Sequence, residues 1–192
     1  MTNSINIVGL MSGTSVDGLD ICYVSFDNHD PSKYEIIDCE TVDYDNKLKT
    51  KLKNIIKLDD DQIKQIDDEF GEFIGLSVLK FINKNNLCKP DLISSHGHTV
   101  FHEPKFKKTL QIGSGEIINK ISKVKTINNF REQDIELGGQ GAPLVPIGDK
   151  LLFNDYTYCL NLGGFTNISF EDSNTIFAYD ICPLNTVLNH YA

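Results

Sequence analysis

The sequence predicts an α/β fold, with strands gathered into a sheet and helices packed against it. Three features carry that expectation. The first 42 residues hold three extended apolar segments separated by turn residues, with no helical period. Residues 48–82 then switch to a 3.6-residue period. After Pro90, short apolar runs alternate with short helix-compatible segments. At 192 residues, 40% hydrophobic and 23% charged, the chain has room for one domain and part of another, at roughly 100–200 residues per domain.

Residues 5–10 form a first strand and residues 11–18 a turn-rich loop. In 19–26, Leu19, Ile21 and Tyr23 alternate with Asp20 and Cys22, so the two strands read as a hairpin. Residues 34–42 are a third strand. Leu48, Leu52, Ile55 and Ile56 have helical spacing. Asp59, Asp60 and Asp61 offer an N-cap to a helix from Ile63 to Ile82. Its stripe of Phe70, Phe73, Ile74, Val78, Phe81 and Ile82 reads as core, and the interleaved charges as a solvated face. Residues 91–95 are a buried strand running into His96, Gly97 and His98. Residues 109–112 form another strand, 113–116 open a helix through Ile121, and 124–127 are a strand ending at Asn128, Asn129, Phe130 and Arg131. Residues 137–143 are a glycine-rich loop and 146–153 a short helix. Residues 156–162 and 165–170 flank a Gly163-Gly164 turn, and 175–181 form the last strand. Pro183 starts a helix that sets Leu184, Val187, Leu188 and Tyr191 on one face. That helix ends without a capping residue, so its partner surface is expected to lie outside the chain.

Charge and composition exclude several classes. There are 18 Lys and Arg against 27 Asp and Glu, a net charge of −9. Such a surface repels phosphodiester backbones, so a nucleic-acid partner is not expected. A small anionic ligand would need local N–H groups or a metal ion. The N-terminal segment has no positive leader, and no apolar run approaches the roughly 18 residues of a membrane helix. Five scattered cysteines, an odd number with no C-x-x-C pair, read as reduced thiols in a cytoplasmic protein.

The strongest chemical signal is the run Gly13, Thr14, Ser15, Val16, Asp17, Gly18, Leu19 and Asp20. Small residues let backbone N–H groups approach phosphate oxygens, and Thr14 and Ser15 add hydroxyl donors. Asp17 and Asp20 cannot bind phosphate but can hold Mg²⁺ or its waters. An ordinary hairpin turn uses the same small residues. What separates the two readings is the carboxylate pair and an echo near the end of the chain, where Gly163, Gly164 and Thr166 sit between two further strands. Two such turns facing each other could cradle a polyphosphate.

The stretch Gly-Leu-Met-Ser-Gly-Thr-Ser-Val-Asp-Gly-Leu-Asp at 9–20 closely resembles the first phosphate motif of the anhydro-N-acetylmuramic acid kinase family. Ser-His-Gly-His-Thr-Val-Phe-His-Glu-Pro at 95–104, Thr-Leu-Gln-Ile-Gly at 109–113 and Asn-Phe-Arg-Glu-Gln-Asp at 129–134 follow in order. Gly-Gly-Gln-Gly-Ala-Pro-Leu-Val-Pro begins at 138, Asn-Leu-Gly-Gly-Phe-Thr-Asn-Ile spans 161–168, and Tyr-Asp-Ile-Cys-Pro-Leu-Asn spans 179–185. The resemblance implies an actin/hexokinase/Hsp70-like (ribonuclease H-like) lobe with a mixed β-sheet and flanking helices over residues 1–150. Residues 151–192 would then begin an incomplete second lobe. It implies an ATP- and Mg²⁺-dependent kinase that opens 1,6-anhydro-N-acetylmuramic acid with water and phosphorylates it, in cell-wall recycling, with a homodimer admitted. By position, Gly13 to Asp20 would be one phosphate loop, and Gly163, Gly164 and Thr166 the other. His96, Gly97, Gln111, Gly113 and Arg131 would line the sugar side.

Three positions depart from the family pattern. The residue before Phe-Arg is usually Asp, taken as the base that activates water; here it is Asn129. A neutral amide can orient water but cannot take its proton. Either Asp134 substitutes or the enzyme is weakened or altered. His98 stands where Gln is commoner, and larger residues replace the glycines of the segment after Asp180. Two other readings compete. Asn129 suits a non-catalytic sugar or nucleotide binder. His96, His98, His102 and Glu103 suit a metal-dependent hydrolase, since residues two apart on a strand share a face.

Overall fold

The computed structural model describes residues 4–191. Strands β1 (Ser4–Ser12), β2 (Gly18–Asp27) and β3 (Tyr34–Asp43) form an antiparallel meander. Helix α1 (Asn46–Asn54) follows, its first turn capped by the Asp45 carboxylate, which accepts the Leu48 N–H at 2.7 Å. A 3-10 turn, Ile55–Lys57, leads to α2 (Asp60–Lys84). Asp59 accepts the Gln62 N–H and Gln62 accepts the Asp59 N–H, a capping box that satisfies two end donors at once.

Next come β4 (Leu92–Glu103), β5 (Lys108–Ile112), α3 (Gly115–Ser122) and β6 (Thr126–Ile127). The sheet order is β3-β2-β1-β4-β5, with β6 pairing the first half of β4. β4 runs parallel to β1 and to β6 and antiparallel to β5, so the sheet is mixed.

The α2 stripe is the core. Phe70, Ile74, Val78 and Phe81 are fully buried, together with Val8, Leu19, Ile21 and Ile93 of the sheet. Each such side chain contributes on the order of 1.5–3 kcal/mol. Two α2 glycines let α3 come close: a Cβ on Gly71 would stand 3.0 Å from Ser114 and one on Gly75 3.0 Å from Ile121. All these helices cover one face of the sheet. The other face carries Gly9, Met11, Asp20, Cys22, Ser94 and His96, and a cavity opens on it.

Beyond β6 lie α4 (Phe130–Glu136) and α5 (Val145–Leu152), then an antiparallel sheet of β7 (Tyr158–Leu162), β8 (Phe165–Asp172) and β9 (Thr175–Pro183), and α6 (Asn185–Tyr191). α5 lies on one face of this sheet, with the Ser169 hydroxyl donating to Asp149 at 2.5 Å and Lys150 3.2 Å from Glu171. The helix straddles residue 150, where the sequence suggests a boundary, and its polar contacts go forward. Among the described residues the opposite face stays largely uncovered. Tyr158 packs on Phe170 and Phe170 stacks on Phe177 at 5.5 Å, yet Tyr158, Leu160, Leu162, Phe177 and Tyr179 stay exposed.

Three elements differ from expectation. β9 runs on through Pro183, which pairs with Phe165, so α6 begins at Asn185 and not at the proline. β4 continues through His96-Gly97-His98 to Glu103, because β5 pairs its second half. Helix α4 occupies a stretch whose sequence shows no period; only Ile135 of its seven residues is buried. Among the described residues no helix is long and apolar enough to cross a membrane.

Candidate active site

β1 ends at Ser12, and residues 13–17 turn the chain into β2, with the Val16 N–H donating to the Gly13 carbonyl at 3.1 Å. Gly18 must be glycine for space: a Cβ there would lie 2.6 Å from the Thr41 methyl and 3.0 Å from the Val42 carbonyl. Val16 and Leu19 send their side chains into the core, leaving only their backbone for a ligand. Thr14, Asp17 and Asp20 are exposed. The Ser15 hydroxyl donates to Asp17 at 2.9 Å and the Thr41 hydroxyl to Asp20 at 2.6 Å. Both carboxylates lie within electrostatic reach of the buried Tyr44. Its pKa is pushed up to about 12, first by burial and further by Asp20 and Asp17, against the lowering pull of its hydrogen bond to Ser12. Asp17 and Asp20 supply hard oxygen donors, the kind Mg²⁺ takes.

The second turn is stitched to α6. The Gly164 carbonyl accepts the Leu184 N–H at 2.9 Å and the Thr186 hydroxyl at 3.0 Å, and the Gly163 carbonyl accepts the Asn185 N–H at 3.2 Å. A Cβ on Gly164 would lie 3.4 Å from the Thr14 hydroxyl. The two glycine turns, from opposite ends of the chain, therefore meet. Thr166 is 6% exposed and its hydroxyl finds no partner among the described residues. An orphaned donor beside two glycine turns fits an oxyanion.

On the open sheet face, a cavity of about 320 Å³ is lined by Gly9, Met11, Asp20, Cys22, Ser94, His96 and Phe130. The His96 Nε2 accepts the Arg131 Nε–H at 3.2 Å, so its Nδ1 carries the proton and donates to the Gly97 carbonyl at 3.0 Å. Burial, ahead of the opposing Gly97 bond and the Arg131 charge, holds its pKa below the usual value, so the ring is neutral. Arg131 also donates to the Gly141 carbonyl at 2.7 Å. The Asp134 carboxylate accepts the Gly141 N–H at 2.6 Å. Arg131 and Asp134 thus hold the glycine-rich loop against α4.

A second polar cavity, of about 350 Å³, contains Gln111, Asn128, Asn129, Glu132 and Asp67. The sugar-side candidates thus divide between two cavities, with His96 in one and Gln111 and Asn129 in the other. Asn129 stands at the N-cap position of α4 without a side-chain capping bond, at φ 60°, a left-handed conformation that Asn and Asp tolerate. Its side-chain oxygen accepts from Asn128 at 3.2 Å. Gly113 is a joint. Its N–H donates to Asp67 at 2.8 Å, its φ is 114°, and a Cβ would lie 2.9 Å from Ile74.

The histidines do not converge. Between Leu10 and Ser12 of β1, β4 advances from Ser95 to His98, one residue more, and Gly97 takes φ 72°. This bulge inverts the alternation. His96 faces the open side, while His98 enters the core, 3% exposed, with Nδ1 3.0 Å from the Ser12 hydroxyl and its ring on Phe70. His102 pairs with Thr109 at 3.1 Å. Among the described residues no group of three or more His, Cys, Asp or Glu could hold a metal ion. The shared-face premise of the hydrolase reading is therefore corrected. Sequence reasoning did not single out Ser12, Tyr44 or Asp67. Ser12 lies inside the quoted motif, whereas Asp67 is one more acid on a charged helix face and carries no signal.

The family model described as anhydro-N-acetylmuramic acid kinase matches residues 5–192. A protein of that name from Pseudoalteromonas translucida is 36% identical over 207 residues, covering 96% of this chain and 51% of its own. One from Pseudoalteromonas atlantica is 34% identical with the same coverage, and one from Bacillus thuringiensis subsp. konkukian is 33% identical over 95% of this chain and 53% of its own. The chain spans about half the length of these relatives. By the match over nearly its whole length, the chain belongs to the anhydro-N-acetylmuramic acid kinase family.

Proposed function

We propose that this chain carries the phosphate-binding and sugar-binding side of an ATP-dependent kinase for 1,6-anhydro-N-acetylmuramic acid. The observation that carries the proposal is the approach of Thr14 to Gly164, which makes one cradle of two glycine turns. Its fold would be the actin/hexokinase/Hsp70-like lobe, a reading supported by the order β3-β2-β1-β4 with β6 continuing parallel to β4. The bare face of β7–β9 would be covered by a further part of the second lobe, and the five free cysteines suit a cytoplasmic setting.

The chemistry asked of these residues is positioning and charge stabilisation. Backbone N–H groups of residues 13–18 and 163–164, with the Thr14 and Thr166 hydroxyls, would hold the phosphates. Asp17 and Asp20 would hold Mg²⁺, which when bound neutralises phosphate charge. Neutral His96, with both ring nitrogens engaged by Arg131 and the Gly97 carbonyl, presents an uncharged ring to the cavity wall. Gln111 and Asn129 offer amides to sugar hydroxyls. Asn129 would orient the water that attacks the anomeric carbon, and the Asp134 carboxylate, five residues on and with one oxygen taken by the Gly141 N–H, would be the substitute base.

The test is a chimera in which residues 1–192 replace the matching half of the Pseudoalteromonas translucida relative. ADP release that depends on the anhydro-sugar, with a 6-phosphate product, is expected; a folded chimera that binds neither ATP nor sugar would overturn the proposal. Asn129 itself favours a second reading, a binder without turnover. That reading predicts sugar binding with no ADP release, and an Asn129→Asp variant that restores release.

A further inference from the structure

Three polar side chains that the proposed chemistry does not use are buried together beneath the site. Ser12 is 2% exposed, Tyr44 3% and His98 3%. The Tyr44 hydroxyl donates to the Ser12 oxygen at 2.7 Å, and the Ser12 oxygen lies 3.0 Å from the His98 Nδ1. A continuous chain of donors and acceptors is made when Tyr44 donates to Ser12 and Ser12 donates to Nδ1 of the His98 tautomer protonated at Nε2. Burial holds His98 neutral, which this arrangement requires. Rings fix both ends of the chain. Tyr44 meets Phe70 and Phe73 edge-on at 5.9 and 5.6 Å, and His98 meets Phe70 edge-on at 6.3 Å.

The placement of the three gives them more than a packing role. Ser12 is the last residue of β1, directly before the turn 13–17. His98 lies two residues after His96, across the Gly97 bulge that separates the two faces of β4. Tyr44 directly follows β3 and lies in the electrostatic reach of Asp17 and Asp20. In a dry interior a broken link leaves two unpaired polar groups, so the three positions are tied to one another.

We propose that Tyr44, Ser12 and His98 form a positioning relay that sets the turn 13–17 against the strand segment carrying His96, so that the phosphate and sugar sides keep one alignment. The proposal rests on reading that turn as a phosphate loop.

Two readouts test it in the 192-residue chain: amide hydrogen exchange without ligand, and the dissociation constant of Mg·ADP. The variants are Tyr44→Phe, which removes only the hydroxyl, His98→Met, which removes the acceptor, and His98→Gln, which keeps one. In Tyr44→Phe and His98→Met, amides of residues 13–18 and 96–97 should exchange at least tenfold faster while those of α2 hold, and Mg·ADP should bind at least tenfold more weakly. His98→Gln should recover both to within threefold. A merely structural role predicts a lower melting temperature with uniform exchange and no such recovery. Variants that match the wild type in exchange and in nucleotide affinity overturn the relay alone. A wild-type chain that does not bind Mg·ADP overturns the phosphate-loop reading and, with it, the purpose assigned to the relay.

Discussion

Replacing Gly97 with alanine tests the bulge on which the whole site depends. The residue sits at φ 72°, and a Cβ built on it would lie 2.5 Å from the backbone carbonyl oxygen of Ile112. A left-handed conformation costs a residue with a Cβ about 1–2 kcal/mol. A contact of that length forces β5 to shift, because the obstacle is backbone and not the end of a flexible side chain, and overpacking of this kind costs about 1–3 kcal/mol. The sum is about 3 kcal/mol, which for a chain of this size lowers the melting temperature by about 6–12 °C. Thermal unfolding followed by circular dichroism measures it. Gly148→Ala is the control. Gly148 lies within α5 with nothing within 4 Å of its added Cβ, so alanine there should stabilise by about 0.5–1 kcal/mol. Equal melting temperatures for Gly97→Ala and the wild type would refute the argument that β4 slips by one residue at Gly97.

Three further outcomes follow from particular groups. His98 has a folded pKa of about 4 against 6.5 for the free side chain, lowered by burial and then by His96. Its contribution is therefore complete above pH 6.5 and disappears as the pH falls towards 4, worth up to about 3 kcal/mol. His98→Gln should flatten the stability profile between pH 6.5 and 4 in urea unfolding, and an unchanged slope would contradict the assignment. Asn129→Asp should leave the melting temperature within about 2 °C, because both residues tolerate the left-handed conformation, while changing sugar-dependent ADP release in the chimera by about 10²–10⁴-fold if Asn129 stands at the base position. Tyr158→Lys with Leu160→Lys should reduce binding of a hydrophobic dye to the bare face of β7–β9 without altering the melting of the first sheet; unchanged dye binding would place the exposed apolar surface elsewhere.

The parts legible in the sequence were those whose physics is local. The α2 stripe from Phe70 to Ile82 showed because a buried helix face repeats every 3.6 residues. The Asp59 cap showed because capping uses few residue types. The hairpin of β1 and β2 showed through the alternation of Leu19, Ile21 and Tyr23. α4 was not legible, since seven residues with one buried position leave no period to detect. The opposite facing of His96 and His98 was not legible either. A strict two-residue alternation puts them on one side, and only pairing with β1 reveals the extra residue. The candidate site divides in the same way. Both glycine turns could be found as motifs, but their approach at Thr14 and Gly164 belongs to tertiary structure. The engagement of Asp134 with the Gly141 N–H depends on how the glycine-rich loop folds back over α4, which no spacing encodes.

The most direct test of the central claim, that two distant glycine turns form one phosphate site, is hydrogen exchange of the chain with and without Mg·ATP. Slowed exchange is expected in residues 13–18 and 163–166 together, with the same dependence on nucleotide concentration. Protection of only one turn, or of neither at saturating nucleotide, would contradict it.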